Sequence, residues 1–203
     1  LENVQLMYRQ KRVDGFIMMY SEEDDVVLEY LIKQQVPLTV IGQPYEYHNE
    51  VNCVDNDNQL LGWTATKHLI EKGHEKIVFV TNSQNENFVK ERFFGYEKSL
   101  GTKSLTNYPL VSLVTPEDYA AFEELLRVEK ITACIAIDDM FALRLIQLLN
   151  LFNYQVPDDV SVISFNNSIF TTLLHPYITS IDVNINELGK TAIQEFLVQL
   201  KEK

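Results

Sequence analysis

At 203 residues with 46% hydrophobic side chains, the chain is long enough to bury one sizeable core or two modest ones without disulfides or metals. Its formal charge of −12 and pI near 4.7 argue strongly against nucleic acid binding by these residues, because phosphate contact requires clustered Lys and Arg. No run approaches the ~20 apolar residues needed to cross a bilayer; the longest clusters, such as Phe16-Ile17-Met18-Met19 and Ile77-Val78-Phe79-Val80, have strand length.

In chain order, Leu1 to Arg12 read as a helix, with Val4, Met7 and Tyr8 on one face. The chain opens on Leu1 rather than Met, so it reads as part of a longer protein. No signal-like segment precedes the helix, which favours the cytoplasm. Strands are predicted at Gly15–Tyr20, Leu38–Gly42, Val51–Asp55, Lys76–Thr81, Pro109–Val114, Thr132–Ile137, Val160–Phe165 and Tyr177–Asp182. Between them, helical spacing appears at Val26/Val27/Tyr30/Leu31, Leu61/Ala65/Leu69, Phe122/Leu125/Leu126 and Leu188/Ala192/Phe196/Leu200. This alternation predicts parallel βαβ units, hence an α/β fold, and eight strands are too many for one small sheet. Gly73 reads as a helix C-cap. With no flexible Gly/Ser linker, a second domain must be joined by ordered crossovers, and Lys72-Gly73-His74 is the expected one. Cys53 and Cys134 lie in short apolar runs and are read as unpaired core thiols.

Enzyme motifs are missing: no G-x-G-x-x-G, no Gly-Lys-Ser/Thr after a strand and no G-x-S-x-G. His48, His68, His74 and His175 are scattered without metal-ligand spacing. Glu22-Glu23-Asp24-Asp25 is better explained as acids opening a helix than as a cation site. Neither a cofactor nor a metal is expected. What remains is a set of polar residues at the C-terminal ends of predicted strands, where open α/β sheets collect ligands: Tyr20-Ser21, Asp57-Asn58, Asn82-Ser83, Asp138-Asp139 and Asn166-Asn167. A single Asx there is usually a turn or cap. Together with Arg92, they suggest a polyol pocket, since sugars need carboxylate, amide and guanidinium partners and an aromatic face. Phe88, Arg92 and Tyr96 fall on one helical face, so Arg92 is either a cleft residue or an edge residue paired with Glu91 or another acid.

At Val13-Asp14-Gly15-Phe16-Ile17, Gly73-His74-Glu75-Lys76-Ile77, Glu91-Arg92-Phe93-Phe94-Gly95-Tyr96, Asp138-Asp139-Met140-Phe141-Ala142 and Val156-Pro157-Asp158-Asp159-Val160, the chain resembles the effector-binding core of lac repressor family regulators. His175-Pro176-Tyr177-Ile178-Thr179-Ser180-Ile181 and Leu188-Gly189-Lys190-Thr191-Ala192 extend the resemblance to nearly the whole chain. It implies a two-lobed periplasmic-binding-protein-like fold closing on a sugar or nucleobase, each lobe a parallel sheet flanked by helices. Residues 1–73 with 182–203 would form an incomplete first lobe and 74–181 the second, with the DNA-binding helix-turn-helix outside this chain. The resemblance carries effector contact to Arg92, Asp138 and Asn166, and places Tyr119 where a stacking tryptophan can lie. Asp57, Ser21 and Tyr20 complete the candidate set. Asn166-Asn167 replaces the family's usual Asp-Asp, which adds donors and removes charge.

The run Ile163-Ser164-Phe165-Asn166-Asn167-Ser168 is most similar to repressors of maltose and maltodextrin operons. The implied function is a sugar-responsive, non-enzymatic repressor core. Its partners would be a small saccharide, operator DNA through the missing head, and a second copy in a homodimer, with no membrane. The rival reading is a sugar-binding protein of a transport system, which shares the two-lobe architecture.

Overall fold

Strands and helices alternate through residues 1–173 and 175–201, the part of the chain that the computed structural model describes. All strand pairings are parallel, and a parallel neighbour can be reached only through a crossover, which the intervening segments supply mostly as helices. One sheet has the order β1-β2-β3, with β1 at Phe16–Met18, β2 at Leu38–Ile41 and β3 at Asn52–Val54. The other runs β5-β4-β6-β7-β8, from β4 (Ile77–Thr81), β5 (Val111–Ser112), β6 (Ala133–Ala136), β7 (Ser161–Phe165) and β8 (Thr179–Ile181). Each of the eight predicted strands is present but trimmed, because its flanking turn residues leave the ladder.

The chain divides into two units, Leu1–Asn56 with Asn184–Lys203, and Asp57–Val183. In the first, helices α1 (Glu2–Arg9), α2 (Val26–Lys33) and α7 (Ile185–Lys201) accompany the three-stranded sheet. Its core is Leu28, Leu31, Val36, Leu38 and Val40. The acidic run before α2 has a local job: the Asp25 carboxylate caps the helix, accepting from the N–H groups of Val27 (2.9 Å) and Leu28 (3.0 Å). Gln199 on α7 clamps β2, accepting from Leu38 N–H (3.0 Å) and donating to Leu38 C=O (2.9 Å).

In the second unit, Ile77, Val78, Phe79 and Val80 of β4 are buried on both sheet faces, as a central parallel strand must be. Around this sheet lie α3 (Asn58–Glu71), α4 (Asn87–Gly101), α5 (Pro116–Glu129), α6 (Asp139–Leu151) and a 3₁₀ turn at Ile169–Thr172. Helices α3 and α4 pack backbone to backbone at two glycines. A Cβ on Gly62 would lie 1.9 Å from the Arg92 carbonyl oxygen, and one on Gly95 would lie 2.0 Å from that of Gln59. This packing ties α3 to the second unit. The boundary therefore falls at Asn56/Asp57 and not at Lys72-Gly73-His74, where the crossover was expected. Gly73, with φ +92, ends α3 inside the unit just after its C-cap Lys72. Gly62→Ala should thus cost about 1–3 kcal/mol by overpacking. Gly101→Ala meets nothing within 4 Å and should be neutral or slightly stabilising, and urea denaturation compares the two.

Helix α5 opens with a capping box in which Thr115 Oγ1 accepts from Asp118 N–H (3.3 Å) and the Asp118 carboxylate accepts from Thr115 N–H (2.8 Å) and Val114 N–H (3.0 Å). The Thr115 and Val114 N–H groups hold the Asp118 carboxyl below the usual carboxylate range. A depressed folded-state pKa means that the stabilisation is complete above the unfolded-state value and is lost as pH falls through the folded one. The stability difference between wild type and Asp118→Asn should accordingly be present at neutral pH and vanish in acid, read by melting temperature against pH.

Both cysteines are unpaired. Cys134 is buried, which pushes its thiol above the ordinary range, whereas Cys53, expected in the core, is only half-buried on the edge strand β3 with Sγ 3.6 Å from Gln43 Oε1. Among the described residues, no helix is long and apolar enough to cross a membrane.

Candidate functional site

Arg92 lies in the second turn of α4, only 6% exposed, at the C-terminal edge of the five-stranded sheet. Its Nε donates to Asn58 Oδ1 and its Nη1 to the Ile137 carbonyl, each at 3.0 Å. Its guanidinium carbon lies 4.5 Å from the centre of the Phe165 ring and 5.0 Å from that of Phe88, within cation–π range. A guanidinium is a planar fork of five N–H donors, so two bonds and two rings fix its plane.

The expected residues Asp57, Asp138 and Asn166 each stand one position from a group that holds Arg92: Asp57 precedes Asn58, Asp138 follows Ile137, and Asn166 follows Phe165. The fold thus gathers the ends of β6 and β7 and the start of α3 around one guanidinium. Both aspartates also cap helices. Asp57 accepts from Leu60 N–H (2.8 Å) and Asp138 from Phe141 N–H (2.7 Å), using Oδ1 in each case. Asn166 is half-buried with φ 101, and its N–H donates to the Ile181 carbonyl at 2.9 Å.

Tyr119 is placed differently. It lines a hollow of about 240 Å³ between α5 and α6 with Asn82, Leu113, Arg144 and Leu148. Tyr20 and Ser21 belong to the other unit, where Tyr20 is exposed and Ser21 is buried. Among the described residues, Ser21 Oγ has no hydrogen-bond partner, an arrangement that ordinarily costs about 1–3 kcal/mol.

Two residues carry more than their sequence suggested. Asn58, 2% exposed, orients Arg92. Asp139, 1% exposed, is a hub: Oδ1 accepts from Ser164 Oγ (2.5 Å) and Ser180 Oγ (2.7 Å), and Oδ2 from Ser168 N–H (2.6 Å). It thereby ties β7, β8 and the 166–168 turn to the start of α6. In both Asx pairs, Asp57-Asn58 and Asp138-Asp139, the first residue caps and the second turns inward.

The family model described as periplasmic binding protein-like domain matches residues 66–203, more than half of the chain. A structure described as that of a probable maltose operon transcriptional repressor, malR, from Staphylococcus aureus superposes with a TM-score of 0.88 and 31% identity, covering 98% of this chain and 73% of that one. The chain belongs to the periplasmic-binding-protein-like family, lac repressor type. Another lac-repressor-type regulator, from Enterococcus faecium and holding ribose, superposes at TM-score 0.81 with 27% identity over 98% of this chain and 74% of its own. The HTH-type transcriptional repressor PurR of Aliivibrio salmonicida is 31% identical over 205 residues, 97% of this chain and 61% of the relative. The lac-repressor-type core described here thus spans about three-fifths of the length of that relative.

Proposed function

We propose that this chain is the effector-binding core of a sugar-responsive transcriptional repressor, dimeric and joined to a DNA-binding head. The observation that carries the reading is Arg92. It is a buried guanidinium held by Asn58, Ile137, Phe88 and Phe165, and Asp57, Asp138 and Asn166 are the chain neighbours of three of these residues. Planar bidentate donors, carboxylate acceptors and aromatic faces at the C-terminal end of a parallel sheet are what recognition of vicinal hydroxyls requires. Tyr119, which lines its own hollow between α5 and α6, and Tyr20 and Ser21, which belong to the other unit, are outside the contact set proposed here. The similarity to malR favours a maltose-type saccharide and genes of maltose or maltodextrin use.

The saccharide would act by binding one conformational state better than another. Because the coupling is reciprocal, a sugar that weakens operator affinity must itself bind less tightly to operator-bound protein. Thermal denaturation against maltose, maltotriose, ribose and the nucleobase adenine tests the ligand class. Saccharide at about a hundred times its dissociation constant should add about 2.7 kcal/mol of stability. A shift with adenine and none with any sugar would contradict the reading.

A further inference from the structure

At the opposite end of the five-stranded sheet from Arg92 lies a second hollow of about 330 Å³. His68 and Lys72 reach it from the end of α3, His74 from the loop before β4, and His175 and Tyr177 from the segment before β8. Its remaining walls are largely apolar, with Ile146 of α6 and Val162 of β7 among them. The ordinary reading of basic groups in the last turn of a helix is compensation of its dipole, and that suffices for His68 and Lys72 alone. It does not explain why a second and third imidazole arrive from two other segments. Among the described residues, every titratable group lining the hollow is an imidazole, an ammonium or a phenol, and no carboxylate lines it, in a chain whose formal charge is −12. Glu71, Glu75, Asp158 and Asp159 are close in sequence but none of them lines the hollow. Among the described residues, these imidazoles form no cluster of metal-ligand type. His74 Nδ1 is 3.0 Å from Thr132 Oγ1, and burial keeps this imidazole below its ordinary pKa. The His175 and Tyr177 rings lie 4.6 Å apart and offer an aromatic surface.

We propose that this hollow is a second ligand site, for a small aromatic carboxylate, separate from the Arg92 site. The carboxylate would be held by Lys72, His68 and His175, and the ring by the apolar wall and Tyr177. The inference does not depend on the identity of the ligand at Arg92. Benzoate is the probe, with benzyl alcohol as its neutral counterpart, titrated into the chain near pH 6 and near pH 8 while the imidazole proton signals are followed by NMR. Benzoate should bind saturably, moving the signals of His68, His74 and His175 but not that of His48, and more tightly at the lower pH. In the double variant Lys72→Gln/His68→Gln its affinity should fall roughly tenfold or more, the scale of a lost charge-assisted hydrogen bond. Equal binding of benzyl alcohol, unchanged affinity in a folded double variant, or shifts confined to other histidines or lacking altogether would overturn the proposal.

Discussion

Arg92→Lys is expected to leave the fold intact and to weaken saccharide binding by about 1.5–3 kcal/mol, roughly tenfold to a hundredfold or more. Lysine keeps the charge but replaces a planar fork with a point charge on a flexible stem. It cannot donate at once to Asn58 Oδ1 and the Ile137 carbonyl in the present geometry while also presenting a plane to a ligand. The cation–π contacts to Phe88 and Phe165 would also change, because a lysine ammonium on a flexible stem does not occupy the guanidinium's place. Calorimetric titration of both proteins separates the readings. If Arg92 serves only the packing of unit two, affinity stays the same and the change appears in stability alone.

The largest stability effect should come from Asp139→Ala. Three donors point at this buried carboxylate, from Ser164, Ser180 and Ser168, at 2.5, 2.7 and 2.6 Å. Removing it takes the shared acceptor from all three around a side chain only 1% exposed, so a loss of roughly 3–5 kcal/mol is expected. Asp139→Asn, which retains one acceptor, should lose less. Because Ser168 N–H anchors the turn that carries Asn166, any folded Asp139→Asn protein should also bind saccharide more weakly. Urea denaturation gives the stability term, and a change below about 1 kcal/mol for the alanine variant would show that the serines find other partners.

The parallel sheets were legible because central strands such as Ile77–Thr81 are apolar on both faces and bounded by turn residues. Arg92 was legible because it shares a helical face with Phe88 and Tyr96, and the structure puts its guanidinium against the Phe88 ring. The unit boundary was not legible at Gly73, since a helix-ending glycine looks the same whether or not the chain then changes unit. The overlooked signal was Gly62 and Gly95, two mid-helix glycines that each cost about 1 kcal/mol of helix propensity and are retained where backbones touch. Asn58 and Asp139 were hidden for another reason. Sequence cannot tell which member of an Asx pair caps the helix and which faces inward, although in both pairs here the N-cap residue holds the helix start and the first helical residue is the buried one. Tyr119 was placed by resemblance alone, and its hollow between α5 and α6 depends on tertiary packing that local pattern does not encode.

Whether a saccharide is held at Arg92 is decided by NMR titration of the isotopically labelled chain with maltose and maltotriose. The Arg92 Nε–H signal, the Asn58 side-chain amide and the backbone N–H of Asn166 should move together along one saturation curve. Saturable saccharide binding that leaves these three signals in place would contradict binding at Arg92.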